Sequence, residues 1–141
     1  MTGLSSPNWF EPGVAASAPA MINVVYCLRR RADLSLPQFL DYWGNVHAPI
    51  VLRNLRVLRL AGYQRIVPRE HAMGPRVERR GISQPPYDGI AILGWESEED
   101  FQRSLTDPEA VEVQRELACD EKRFIDIANS CRWVAEAIFH R

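Results

Sequence analysis

Residues 39–50 read FLDYWGNVHAPI, and this stretch holds more aromatic side chains than an exposed helix normally carries. Phe39, Trp43 and His47 follow one another at intervals of four, so in an α-helix they lie roughly on one stripe. The stripe predicts a helix packed against the rest of the protein, with Phe39 and Trp43 in the core. Pro49 lacks a backbone N–H and disfavours helical geometry in the residue before it, so we expect a kink or break near His47.

The start of this helix is marked by a capping sequence. Ser35 is a suitable N-cap because Gln38, three residues later, can complete a capping box. Pro37 fits the first turn, where its missing N–H costs nothing. We therefore expect one helix from this cap to about residue 53.

Four apolar, β-branched runs predict strands around this helix. The expected strands are residues 21–29, 58–67, 89–95 and 131–139. Ser97 with Asp100 caps a further helix to about Leu105, and Asp107-Pro108 begins another to about Ala118. The order β, α, β, β, α, (α), β is the split βαβ arrangement of a ferredoxin-like domain. The predicted fold is α+β, with a four-stranded antiparallel sheet and helices on one face.

Two of the predicted strands are apolar on both faces, which is unusual for a sheet covered on one side. In the first, Tyr26 and Leu28 alternate with Val25 and Cys27, and residues 89–95 are likewise apolar at alternating positions of both faces. The second face therefore needs a cover, most simply the same sheet of another subunit. We expect a homodimer.

Composition narrows the class of protein. The 141 residues suit one domain, residues 21–141, after a flexible tail at residues 1–20 that is rich in Gly, Pro, Ser and Ala. A net charge of -1 gives no electrostatic reason to expect nucleic acid or an anionic membrane as partner. No apolar run approaches the ~20 residues of a membrane helix. Three cysteines without C-x-x-C spacing, and a first segment without Lys or Arg, favour a cytoplasmic location.

Four segments together resemble the EthD domain family. They are RRRADLSLPQFLDYWGNVHAP at residues 29–49, DGIAILGWESEEDF at 88–101, DEKRFID at 120–126, and the strand glutamate Glu136. The likeness extends over about residues 21–139. It implies a dimeric α+β barrel in which two ferredoxin-like sheets close face to face around a ligand cavity. Relatives of that fold are linked to ether degradation, aromatic catabolism and polyketide tailoring, and their chemistry generally needs neither metal nor tightly bound cofactor.

His47 is the candidate catalytic residue. Its imidazole titrates near neutral pH and suits general acid/base work in a cavity. The alternative is a structural role, in which it donates to free carbonyls at a helix break.

The candidate ligand contacts come from the strands. A carboxylate in the apolar run CRWVAEAIF is costly to bury unpaired, so Glu136 is exposed, pairs with Arg132 or with a group of another chain, or lines the cavity. Buried tyrosines commonly find a hydrogen-bond partner, which a ligand can supply. The full set of candidate substrate-binding residues is Tyr26, Tyr63, Arg65, Trp95, Arg132 and Glu136. The arginine-rich loop at residues 69–87 is either solvated or a lid over the cavity.

Three functions remain open. The first is a cofactor-independent enzyme acting on a small hydrophobic ligand (aromatic, phenolic or polyketide-like), either by proton transfer (decarboxylation, dehydration, isomerisation) or by oxygenation. The second is a non-catalytic ligand-binding or accessory protein beside an oxygenase. The third, RNA binding, ranks last because GIAILGW lacks the basic start and aromatic pair of an RNA-binding strand. Phosphate-loop, dinucleotide and hydrolase motifs are absent, and the histidines and cysteines lack zinc spacing, so we expect no cofactor and no metal.

Overall fold

The computed structural model describes residues 22–78, 81 and 84–140. The predicted tail at residues 1–20 lies outside this range. Four strands form one sheet: β1 (Ile22–Leu28), β2 (Gly62–Ile66), β3 (Gly89–Trp95) and β4 (Cys131–Glu136). The helices are α1 (Leu36–Tyr42), α2 (Ala48–Arg53), α3 (Gly74–Glu78), α4 (Glu98–Thr106) and α5 (Pro108–Glu121), with a short 3₁₀ turn at Ile127–Asn129. The predicted order of elements is confirmed.

The sheet is antiparallel throughout, in the order β2-β3-β1-β4, which is the ferredoxin-like arrangement. Its register places four residues side by side in one cross-strand row: Arg65, Ala91, Tyr26 and Arg132. Because side chains alternate along a strand, these four share one face. The predicted four-stranded α+β fold is therefore confirmed.

We expected the helix that begins at Ser35 to kink or break near His47, and it does not break there. The capping box is present, and helical geometry continues through Ala48, whose φ and ψ are -56° and -40°. The disturbance takes another form: Trp43–His47 is a π-helical turn, in which the Ala48 N–H bonds to the Trp43 carbonyl. A proline cannot donate to the residue four before it and crowds that carbonyl, so we attribute the wider turn to Pro49.

Two packed clusters hold the helices on the sheet. The first centres on Phe39, Trp43 and Phe124, each at most 1% exposed, and includes Leu28 and Ala91. Phe39 and Trp43 are thus core residues, as predicted. The second cluster joins α2 to α5 and consists of Ile50, Val51, Leu58, Ala110 and Leu117.

Some boundaries differ from the predicted ones. Strand β2 starts at Gly62 rather than 58 because Arg59 has a left-handed φ of 55° and the chain turns there. Strand β4 ends at Glu136 rather than 139. Helix α5 continues past Ala118 to Glu121, and the loop at 69–87 contains the short helix α3.

Candidate functional site

The cavities of interest lie between the sheet and the helices of a single chain. An inner one, with free volume of about 30 Å³, is bounded by side chains from the sheet, the π turn and α5. An outer one, of about 260 Å³, opens beside β4 and the end of α5. Both are lined by Tyr26, Leu28, Glu121 and Ile125, so they adjoin. These cavities lie on the helix side of the sheet, because Tyr26 and Tyr63 face the helices. The cavity expected between the sheets of two subunits stays a prediction.

His47 borders the inner cavity and is held by a hydrogen-bonded pair of side chains. Its Nδ1 lies 2.8 Å from Oδ2 of Asp120, and the hydroxyl of Tyr42 donates to Oδ1 of the same carboxyl at 2.6 Å. An O–H···O distance this short is typical of a charged acceptor. Asp120 thus accepts at both oxygens, as a carboxylate does, and a neutral His47 carries its proton on Nδ1 and leaves Nε2 free to accept one.

The surroundings of His47 favour the neutral imidazole. The residue is 6% exposed, and its ring lies 4.9 Å from that of Phe124 between centroids. Burial lowers the pKa of His47 below its usual value, and the Asp120 carboxylate only partly offsets this. The imidazole is therefore unprotonated at neutral pH, the form that a general base needs.

Asp120 is placed by the chain segment that follows α5. Arg31 N–H donates to the Phe124 carbonyl at 3.0 Å, and Asp126 N–H donates to the Arg29 carbonyl at 2.8 Å. These bonds fasten the segment to the chain just beyond β1. The last turn of α5 is thereby held against the π turn, where Asp120 meets His47.

Tyr63 borders the inner cavity from β2. Its hydroxyl accepts a hydrogen bond from Nε1 of Trp43 at 3.1 Å, and burial raises the pKa of Tyr63 to about 12. The phenol therefore stays protonated at neutral pH and can still donate. Arg65, two residues along, places its guanidinium 5.4 Å from the Trp43 ring centroid.

Glu121 and Tyr26 stand at the boundary of the two cavities. Burial raises the pKa of Glu121 to about 7, with Asp120 adding to the rise and Arg132 opposing it. Arg132 donates a hydrogen bond from Nη1 to the Tyr26 hydroxyl. Burial, and secondly the charge of Glu121, also raises the pKa of Tyr26. A carboxyl that titrates near neutrality, in a cavity, is a common mark of a functional site.

The predicted site residues fall into two groups. His47, Tyr26 and Tyr63 meet at the inner cavity, and Arg132 borders the outer one. Arg65 lies next to Trp43, and neither cavity is lined by it.

Trp95 and Glu136 lie elsewhere. They pair with Ile22, four residues from Tyr26 and so about 13 Å along the strand. Trp95 is 2% exposed and donates Nε1–H to the Leu58 carbonyl at 2.8 Å. Glu136 is exposed, and Arg132 bonds to Tyr26 rather than to Glu136 in the described part of the chain.

Sequence reasoning did not single out Tyr42, Asp120 or Glu121 as site residues. The apolar stripe of α5 contains Ala110, Val113 and Leu117, and the same helical spacing continues to Asp120 and Glu121. Carboxylates on the inward stripe of a helix are the signal that could have found them.

Two further observations concern ligands and membranes. Across residues 22–78, 81 and 84–140, His, Cys, Asp and Glu side chains form no group of three or more able to hold a metal ion. In the same residues no helix has the length and apolar character needed to span a bilayer.

The fold matches several solved structures at low sequence identity. An ethyl tert-butyl ether D (EthD) family protein of Bacillus halodurans C-125 superposes with a TM-score of 0.55 at 14% identity, over 84% of this chain and 99% of that one. An EthD-like protein of Ralstonia eutropha JMP134 gives 0.51 at 14% identity, over 87% and 96%. A dimeric ferredoxin-like protein of unknown function from Thermobifida fusca YX gives 0.50 at 11% identity, over 86% and 92%. At such identities the likeness shows the fold.

The sequence itself identifies the family. No curated protein matches this chain. The sequence profile of the EthD domain, however, matches residues 31–128, which include the π turn, β2, β3 and the end of α5 with Asp120 and Glu121. The chain therefore belongs to the EthD domain family.

Proposed function

We propose that this protein is a cofactor-independent enzyme that transfers a proton on a small, largely apolar ligand, with His47 as general base. The observation that carries the proposal is the buried His47–Asp120 pair, with Nδ1 and Oδ2 2.8 Å apart, at the edge of an apolar cavity. Asp120 is in turn held by the hydroxyl of Tyr42, so the imidazole is fixed with Nδ1 bonded to the carboxylate.

The roles of the pair follow from their hydrogen bonds. Nε2 of His47 takes a proton from the ligand, and the Asp120 carboxylate stabilises the imidazolium that forms. A positioned base of this kind contributes about 10²–10⁴-fold to the rate. Free volume of about 30 Å³ beside His47 admits only a small reacting group, such as a carbonyl with its neighbouring carbon, while the body of the ligand occupies the outer cavity.

Glu121 is the matching acid. Its pKa of about 7 leaves a large fraction of the carboxyl protonated at neutral pH. It can give its proton to the ketone oxygen of a ligand while His47 removes one from the α-carbon, next to the carbonyl carbon, which converts the ketone to its enol with no net gain or loss of atoms. A base and an acid whose environments are tuned toward neutrality suit isomerisation or dehydration. This pairing is why we place proton transfer before oxygenation.

A suitable test measures proton abstraction directly. We expect the protein to accelerate deuterium exchange at the α-carbons of 2-tetralone in D₂O, followed by NMR. His47→Ala should retain the fold and lose about 10²–10⁴-fold of this acceleration. His71→Ala, a change at an exposed histidine, should match the parent chain.

Two results would contradict the proposal. One is a wild-type protein that exchanges 2-tetralone no faster than buffer although it binds the ketone, which would favour a ligand-binding or accessory protein. The other is a destabilised His47→Ala variant whose activity per folded molecule is unchanged, which would make the imidazole a structural group.

We also propose that the protein is a homodimer that pairs through the sheet face turned away from the helices. That face carries Val25, Ile90 and Ile92 in the centre and the half-exposed Ile66 and Trp133 at its sides. A contiguous apolar face of this kind is characteristic of protein–protein contacts. The relative from Thermobifida fusca is described as dimeric.

A further inference from the structure

The outer cavity combines an apolar lining with an unusual placement of charge. Leu28, Ala118, Ile125 and Ile127 provide much of its wall. Its volume of about 260 Å³ equals the share of roughly nine liquid waters, enough for a ligand with two fused rings. The cationic groups at its rim are Arg132 and Lys122.

Arg132 is oriented but not neutralised. Its Nη1 donates to the Tyr26 hydroxyl, which fixes the guanidinium at the cavity wall. Tyr26 is protonated at neutral pH and brings no charge. Among the residues that the structure describes, no carboxylate lies within ion-pair distance of Arg132, so most of its N–H donors remain available for a ligand.

Glu121 lines the same space. None of the described residues gives its side chain a hydrogen bond or an ion pair. A carboxyl that is partly buried and lacks a cation at contact distance prefers to keep its proton. It then acts as a donor and leaves the charge of Arg132 unopposed.

We propose that the outer cavity binds the carboxylate of an apolar acid at Arg132 and Tyr26, beside Glu121. The substrates of the proposed function, on which this inference rests, are therefore aromatic or similarly bulky carboxylic acids. Arg132 forms a charge-assisted bond to one carboxylate oxygen, and the Tyr26 hydroxyl, which accepts from Arg132, donates to the other. The apolar body packs on Leu28 and Ile125, which border both cavities.

Binding of a matched pair of probes tests this without any turnover. We compare 1-naphthoate with its neutral isostere 1-naphthamide, by titration followed through protein fluorescence or NMR shifts. The wild-type protein should bind 1-naphthoate about 10–100-fold more tightly, the range expected for a hydrogen bond to a charged group. Arg132→Gln should bring the two affinities to within about 3-fold, and Tyr26→Phe should reduce the preference partially.

The control variant carries the same change of charge at a distance from the cavity. Arg115 lies on α5, 70% exposed, and pairs with Glu112. Arg115→Gln should keep the full preference for 1-naphthoate. Melting temperatures verify that all variants fold. If Arg132→Gln does not fold, Tyr26→Phe, which removes only a hydroxyl, still tests the inference.

The pH dependence of 1-naphthoate binding provides a second test. The charged or titratable groups around Glu121 are Arg132 and Cys131 on β4, Tyr26 on β1, Tyr63 on β2, Asp120 and Lys122 at and just after the end of α5, and His47 on the π turn. Ionisation of Glu121 as pH rises through about 7 adds a negative charge beside the ligand. The affinity for 1-naphthoate should therefore fall between pH 6 and pH 8, and Glu121→Gln should remove most of that fall.

Equal affinity of the wild-type protein for both probes would overturn the inference, as would an undiminished preference in Arg132→Gln. Either result leaves proton transfer by His47 intact, because 2-tetralone carries no charge. Conversely, loss of exchange activity without loss of the 1-naphthoate preference would count against the proposed function alone. The two proposals therefore fail separately.

Discussion

The imidazole Nδ1 of His47 lies 2.8 Å from the carboxylate Oδ2 of Asp120, although 73 positions separate the two residues in the chain. One residue comes from a π turn and the other from the last turn of α5. Both are buried, and Asp120 has a second hydrogen bond from Tyr42. The Asp120 carboxylate raises the pKa of the imidazole against the larger effect of burial, so the contribution of this pair is measurable before any substrate is known.

The pKa of His47 is the first quantity to measure. Titration of the imidazole by NMR should give a value below 6.5, because burial outweighs the Asp120 charge. Asp120→Asn removes the group that raises the pKa, so the value should fall further. Tyr42→Phe leaves the carboxylate in place, and its His47 pKa should stay above that of Asp120→Asn. A wild-type value at or above 6.5 would show that the carboxylate dominates.

Glu121 should make the wild-type protein less stable as the solution becomes alkaline. Its folded pKa of about 7 exceeds the ordinary 4.5, so its contribution to stability is fully present below 4.5 and is lost as pH rises through 7. Between pH 5 and pH 8, Glu121→Gln should therefore gain about 2–3 kcal/mol of unfolding free energy relative to the parent chain. Urea unfolding at the two pH values measures this difference.

Glu112→Gln provides the comparison for that experiment. Glu112 lies on the same helix and is 70% exposed, so its substitution should give nearly parallel pH curves. If Glu121→Gln also runs parallel to the parent chain, the carboxyl is ionised in the folded state well below neutrality.

Gly89 is required by the ring of Trp43. A Cβ atom at position 89 would lie 2.3 Å from Cζ3 of Trp43, a ring that is 1% exposed and cannot move freely. Gly89→Ala should therefore cost about 1–3 kcal/mol of unfolding free energy, as overpacked cores do. At Gly74 the nearest contact, Glu78 Oε2 at 3.4 Å, is ordinary, and Gly74→Ala should change stability by less than about 0.5 kcal/mol. Equal melting temperatures for the two variants would contradict the close packing.

The assembly can be tested with two adjacent residues on opposite faces of β4. Light scattering should give about twice the chain mass of 16.1 kDa. Trp133 is 49% exposed on the face away from the helices, and Val134 is 60% exposed on the other. Trp133→Asp should reduce the mass to that of one chain, whereas Val134→Asp should not. A single-chain mass for the unmodified protein would exclude the homodimer.

Local sequence patterns predicted most of the fold. The caps at Ser35 and Ser97 and the β-branched runs set the order of elements, and each depends only on neighbours in the chain. The π turn was not predicted. Helical spacing indicated a helix and Pro49 indicated a kink or break in it near His47, whereas the chain stays helical there in a wider turn. Residues 22–28 and 89–95 were predicted almost to the residue because both strands are central and apolar.

Less of the candidate site than of the fold could be predicted from the sequence. Tyr26, Tyr63 and Arg132 border the cavities, whereas Trp95 lies on the same face of the sheet but opposite Ile22, four residues along the strand, where its ring packs against Phe101. The face of the sheet on which a side chain lies follows from alternation along its own strand. Its position relative to the helices depends on the tertiary fold. Asp120 was passed over because a carboxylate on a helix is usually exposed, and its partner lies far away in the sequence.

The π turn also makes the number of residues between Trp43 and His47 important. In this turn the Ala48 N–H reaches back five residues, to Trp43, instead of four. Loss of one residue would restore an α-helix and swing the imidazole about 100° around the axis, away from Asp120. Asn45 and Val46 are exposed and tolerate exchange for other side chains. Natural variation here should thus consist of replacements and avoid insertions and deletions, so that the family keeps a constant count between its tryptophan and its histidine.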